Sequence, residues 1–178
     1  MQFLNLTILF MLWVSPTVDD TRIVKWKEDR PLTWADFKGG PDYRAGAGSV
    51  IVWDTRYNYR VERRDTSYIL TFTLDNVMYT DISWVMRDQM GDYLLGHEQT
   101  HFDINELFTR KLAAAFKDAV FTSNYKAEMD TIFRQNRADC GAMESKYDKE
   151  TSHAGNHNMQ YRWQLFVFLE LQKLPKNY

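Results

Sequence analysis

Leu94-Leu95-Gly96-His97-Glu98-Gln99-Thr100-His101-Phe102-Asp103-Ile104 lies in the longest helical pattern of the chain. Met90, Leu94, His97, His101, Ile104, Phe108, Leu112, Ala115 and Ala119 recur at steps of three or four, which predicts a helix from about Met86 to Phe121. Asp103, Glu106, Arg110 and Lys117 fall on its far side. Histidines four apart project from one helical face, so His97 and His101 both point into the apolar seam, with Glu98 at its margin. Burying two imidazoles there is costly unless their nitrogens find partners. One such histidine reads most simply as a core residue bonded to a carbonyl. Two of them, with a glutamate after the first, have the H-E-x-x-H spacing that can grip a zinc ion and set a general base beside it. The motif alone is weakly specific, so its surroundings have to carry the case.

Upstream of this helix the hydrophobic period changes to two. Arg22 to Lys27 alternates into a short strand, and Gly46 to Arg64 is rich enough in Val, Ile, Tyr and Thr for two more. Tyr68, Leu70, Phe72 and Leu74 share one face of a further strand, with Ile69, Thr71 and Thr73 on the other. Between them, Thr33 can cap a single helical turn over Trp34-Ala35-Asp36-Phe37, which Gly39-Gly40-Pro41 ends. Downstream, a second helix is predicted from about Tyr125 to Ser145, and a third from near His157 to before Pro175. The expected fold class is therefore α+β: a small antiparallel sheet in the N-terminal half, then three helices with H-E-x-x-H on the first.

A continuous long helix points Asp103 and Glu106 away from a metal on the histidine face. The third ligand must then come from elsewhere. Tyr147 to His157 reads as the connection between the last two helices and holds the two remaining histidines, His153 and His157, also four apart. Gly155 breaks helical continuity and Asn156 suits an N-cap, which leaves His153 in a loop and His157 on the first turn of the last helix. His153 is the first choice for third ligand, His157 the next, followed by a carboxylate such as Asp148 or Glu144. Tyr147 and Tyr161 are candidate donors to a developing oxyanion.

Composition bounds the rest. A chain of 178 residues with 44% hydrophobic content suits one domain with a proper core. Its net charge of −2 gives no reason to expect nucleic acid as a partner. Leu6 to Val14 is a nearly continuous apolar run followed by Ser15-Pro16-Thr17, read as a signal peptide over residues 1–17 and a single domain over 18–178. That run is short for a bilayer span, so the expectation is an exported protein, periplasmic or secreted, with no membrane span once the signal is removed. Cys140 is the only cysteine, which excludes an intramolecular disulfide; it reads as a small half-buried residue.

The chain resembles a bacterial family of predicted secreted zinc-dependent proteases, long catalogued as a domain of unknown function. The matching segments are Leu32 to Gly39, Ser83-Trp84-Val85, His97-Glu98-Gln99-Thr100-His101-Phe102-Asp103-Ile104, and Tyr147-Asp148 to His153. The resemblance implies a zincin-like metallopeptidase, with His97 and His101 as ligands and Glu98 as base. It does not fix the third ligand, and Ala154 departs from a tighter His-Gly pairing there.

These readings combine into one expectation: a zinc metallopeptidase acting on a protein or peptide, with Glu98 taking a proton from a zinc-activated water. The alternative is a non-catalytic zinc-binding or partner-binding domain, whose closed site would draw on His153 and His157 as well. A zinc hydrolase of cell-wall amides is a third option built from the same residues. Oligomeric state has no signature in the sequence.

Overall fold

The computed structural model describes residues 22–64, 67–174 and 176. The apolar run read as a signal peptide lies outside them. Five strands come first: β1 Ile23–Lys25, β2 Ser49–Val50, β3 Trp53–Arg64, β4 Ser67–Tyr79 and β5 Trp84–Val85. Three helices follow: α1 Asp92–Asp118, α2 Tyr125–Thr151 and α3 His157–Lys173. The α+β expectation holds.

The strands form two antiparallel sheets. One has the order β1-β4-β3, and the other pairs β2 with β5. β4 alternates as its sequence requires, with Leu74, Asn76 and Met78 buried on the inner face. It continues five residues past Leu74, because Asn76 and Thr55 have partners inside. Asn76 donates to the Phe102 carbonyl (2.9 Å) and accepts from Asn105 (2.6 Å), while the Thr55 hydroxyl bonds to Asn105 (3.0 Å). These side chains bolt the sheet onto the middle of α1.

The single turn over Trp34–Asp36 forms as expected, with the Asp36 carboxylate accepting from the Thr33 backbone (2.8 Å) and from Arg30 (2.7 Å). Trp26, Leu32 and Phe37 from this region join Met78, Phe102, Ile104 and Leu107 in the principal core. Cys140 lies in the same core and is fully buried rather than half-buried. Burial pushes its thiol up to about 12, which leaves it an inert packing residue.

α1 departs from its expected outline in two ways. It starts at Asp92 rather than Met86, because Met86, Met90 and Gly91 are extended around a short turn at Arg87–Gln89. It is also buried on nearly every side between His97 and Leu112. Glu106 and Arg110, placed on the far side by periodicity, lie inside: they pair at 3.0 Å, and Arg110 also donates to the carbonyls of Leu171 and Leu174. α1 is the central element, with the sheet, α2, α3 and the 26–32 segment packed around it. Paired ends let polar residues occupy a buried face, and hydrophobic period alone does not register that.

Candidate metal centre

α2 continues to Thr151, six residues beyond its expected end. Tyr147 and Asp148 therefore sit on a rigid helix rather than in a connection. The helix ends in Ser152, His153 and Ala154, three consecutive residues with φ of 52°, 47° and 68°. Left-handed backbone costs a side-chain-bearing residue roughly 1–2 kcal/mol. Here it is held by bonds from His153 N to the Asp148 carbonyl (2.9 Å) and from Asn156 N to the Thr151 carbonyl (2.7 Å). The helix thus breaks at Ser152, ahead of Gly155. Asn156 caps α3 as expected, its side chain accepting from Met159 N at 3.2 Å.

This packing brings α2 alongside the motif on α1. His97 Nε2 lies 3.2 Å from His101 Nε2 and 3.3 Å from Asp148 Oδ1, and His101 Nε2 lies 3.0 Å from the same oxygen. The three atoms form a near-equilateral triangle. His97, His101 and Asp148 are the group of metal-ligating side chains that converge among the described residues. Three ligand atoms about 2.0–2.1 Å from a tetrahedral zinc stand about 3.3 Å apart, so the triangle has the dimensions of one face of such a site.

The surroundings fix the ring orientations. The second nitrogen of His101, Nδ1, contacts the Glu144 carboxylate. With Nδ1 donating to Glu144, Nε2 is turned towards Asp148, to which it donates when the ring is protonated and towards which it presents a lone pair only when that proton is gone. His97 is held differently: its ring stacks on Tyr147 at 4.8 Å between centroids, and its Nδ1 is buried without a partner among the described residues. Burial opposes charge on His101, but hydrogen bonds to Asp148 and Glu144 and the nearby Glu98 charge outweigh it and raise its pKa to about 10. Asp148 responds in the opposite direction. Burial would raise its carboxyl, yet the two histidines hold it well below the ordinary carboxylate range. The cluster asks for positive charge at its centre, which either a proton or a metal cation can supply.

Glu98 is buried beside this triangle, and both its oxygens are engaged. Ser49 Oγ donates to one (2.6 Å) and Ile51 N to the other (3.0 Å). β2 therefore aims the carboxylate. A cleft of about 750 Å³ opens over the cluster, lined by residues from 45–53, by Met86 and Leu94, and by Glu144, Asp148 and His153.

The sequence candidates separate in this frame. His97, Glu98 and His101 meet at the cleft as anticipated. His153 lies on its rim with the side chain 79% exposed and Nδ1 3.7 Å from Asp148, outside the triangle that His97, His101 and Asp148 form. His157 is exposed and stacks on Tyr93 (3.7 Å) away from the cleft, so a four-histidine site is not assembled. Neither tyrosine faces the cleft. Tyr147 is buried beneath the histidines with its hydroxyl 3.4 Å from the His97 carbonyl, and Tyr161 is 69% exposed on α3. Asp148 is legible as a member of this cluster only once Tyr147-Asp148 is placed on a helix facing α1. Ser49 carries no signal in the sequence at all.

No helix among the described residues is long and apolar enough to cross a membrane. No curated protein and no solved structure matches the chain. A family model described as "Bacterial protein of unknown function (DUF922)" matches residues 36–155, a stretch that holds the cleft, the triangle and Glu98 together. With well over half of its length matched, the chain belongs to this bacterial family.

Proposed function

We propose that this protein is an exported zinc-dependent peptidase in which His97, His101 and Asp148 hold the metal and Glu98 is the general base. The observation that carries the reading is the triangle of His97 Nε2, His101 Nε2 and Asp148 Oδ1, with edges of 3.0–3.3 Å. Two imidazole nitrogens and a carboxylate oxygen are a donor set suited to zinc, and three protein ligands leave a position open. The apolar run Leu6–Val14 supports export.

Zinc, when bound, acidifies water and polarises a carbonyl oxygen. Glu98 takes the proton from the attacking water. A carbon–oxygen bond forms at the scissile carbonyl, the carbon–nitrogen bond breaks, and Glu98 returns its proton to the departing amine. Ser49 and Ile51 hold the Glu98 carboxylate in one orientation throughout. Glu144 keeps the His101 ring turned towards the metal position.

Metal analysis of the purified chain tests the assignment. One zinc per wild-type chain is expected, with loss in Asp148→Ala and retention in His153→Ala and His157→Ala. Full occupancy in Asp148→Ala would remove that residue from the ligand set.

A further inference from the structure

We propose that α3 is an interface between two copies of this chain, which pair antiparallel through its outer face about a two-fold axis at Leu165. This pairing does not depend on the chemistry of the cleft.

α3 is apolar on both sides. It turns Trp163, Val167 and Leu171 into the core, yet Tyr161, Leu165, Phe166, Phe168 and Leu169 on its outer side are each between 42% and 69% exposed. A helix with apolar residues all round is normally buried all round. The five exposed side chains leave on the order of 500 Å² of apolar surface in water, at the upper end of what a monomer shows. Asn158, Arg162, Gln172 and Lys173 are exposed on the same side. With them the face offers roughly 800 Å², about what one partner contributes to a stable interface.

The spacing on this face suits a second copy of itself. Asn158, Tyr161, Leu165, Phe168 and Gln172 recur at alternating steps of three and four, the spacing that lays one helix along another. The stripe is also balanced about Leu165. Arg162 and Phe168 lie three residues either side of it, Tyr161 and Leu169 four, and Asn158 and Gln172 seven. A second α3 running the other way therefore sets Leu165 on Leu165, Tyr161 on Leu169, and amide on amide at both ends. Each Arg162 guanidinium meets the Phe168 ring of the second copy, a cation–π contact, rather than a like charge. Such an isologous contact buries the same patch on both subunits and closes at two. A bilayer or an unrelated protein calls for no such balance.

Sedimentation of the purified chain over a concentration series tests this. Wild type should approach twice the chain mass. Leu165→Glu, which opposes two carboxylates on the axis, should weaken pairing about a hundredfold or more. Tyr161→Ser lies at the most exposed of these positions, where the fold depends on it least, and should weaken pairing about tenfold. Circular dichroism should be unchanged in both. Under mild oxidation Leu165→Cys should give a covalent dimer, because close-packed helices bring the two Cβ atoms on the axis within disulfide range. Val120→Cys, 90% exposed on the α1–α2 connection, should cross-link far more slowly, and Cys140 is buried too deeply to take part. A wild-type chain that stays monomeric throughout would overturn the proposal, as would a dimer that survives Leu165→Glu or equal cross-linking at the two cysteines. A monomer that binds phosphatidylglycerol vesicles, and loses that binding in Leu165→Glu, would assign the face to a membrane instead.

Discussion

The Glu144 carboxylate on α2 contacts Nδ1 of His101 on α1, while the equivalent nitrogen of His97 has no partner among the described residues. The two motif histidines are thus held by different means: one by a buried carboxylate, the other by stacking on Tyr147. A carboxylate behind a metal-binding imidazole fixes its tautomer and raises its basicity, and its loss typically lowers metal affinity 10–100-fold. Glu144→Ala should therefore weaken zinc binding by about that factor, measured by competition with a chromophoric chelator. Glu144→Gln retains an oxygen acceptor for Nδ1 and should fall between the variant and wild type. Unchanged affinity in both would mean that the contact has no bearing on the metal.

Metal binding should release protons. With its pKa raised to about 10, His101 is protonated at neutral pH when the metal is absent. Zinc must displace that proton, so affinity should rise with pH up to about 10 and level off beyond it. Calorimetry at pH 7 in buffers of different ionisation enthalpy should give a release of about one proton per zinc bound. In the metal-free chain the sign runs the other way. A raised histidine pKa contributes stability that is full below about 6.5 and is lost as pH rises through about 10.

Glu98→Gln should keep the metal and lose hydrolysis. The glutamine oxygen can accept from Ile51 N while its amide group donates to Ser49 Oγ, so the local fold has a bonded solution in place of the present pair of acceptors. The variant keeps shape and loses basicity. Removing a positioned base typically costs 10²–10⁴ in rate, and zinc content should stay at the wild-type level. Full activity in Glu98→Gln would show that the base is another group.

Much of this site could be read from the sequence because its parts obey local rules. The stripe through Leu94, His97, His101 and Ile104 follows from helical period, and the alternation of Tyr68 to Leu74 fixes which face of β4 turns inward. Asp148 was harder to place. Nothing local shows that α2 runs on to Thr151, because its end is set by a left-handed turn of Ser152, His153 and Ala154 that only tertiary bonds stabilise. Once α2 is extended, residues 144 and 148 lie one turn apart on the face towards α1. The loop that was expected to free His153 is instead what holds it at the rim. Ser49 reaches Glu98 through a contact 49 residues long in sequence, and no periodicity encodes that.

Asp103 lies behind the motif, one turn from Gln99. Its carboxylate accepts from Trp26 Nε1 (2.7 Å) and Gln99 Nε2 (2.8 Å), while Gln99 Oε1 accepts from Leu32 N (2.7 Å). This network ties the N-terminal segment to α1. Burial raises the Asp103 carboxyl to about 6, and the Trp26 and Gln99 bonds only partly offset it. A folded-state pKa above the unfolded value means that the native chain binds the proton more tightly. The contribution of Asp103 to stability is therefore largest below about 4 and declines as pH rises through about 6. At pH 8 the ionised form costs on the order of 1–3 kcal/mol. Asp103→Asn keeps an oxygen for Trp26 and Gln99 without the charge, so it should stabilise the chain by about that amount at pH 8 and have little effect at pH 4. Thermal unfolding at the two pH values checks it. Destabilisation of Asp103→Asn at pH 8 would mean that the charge itself, through Arg110, is what the fold requires.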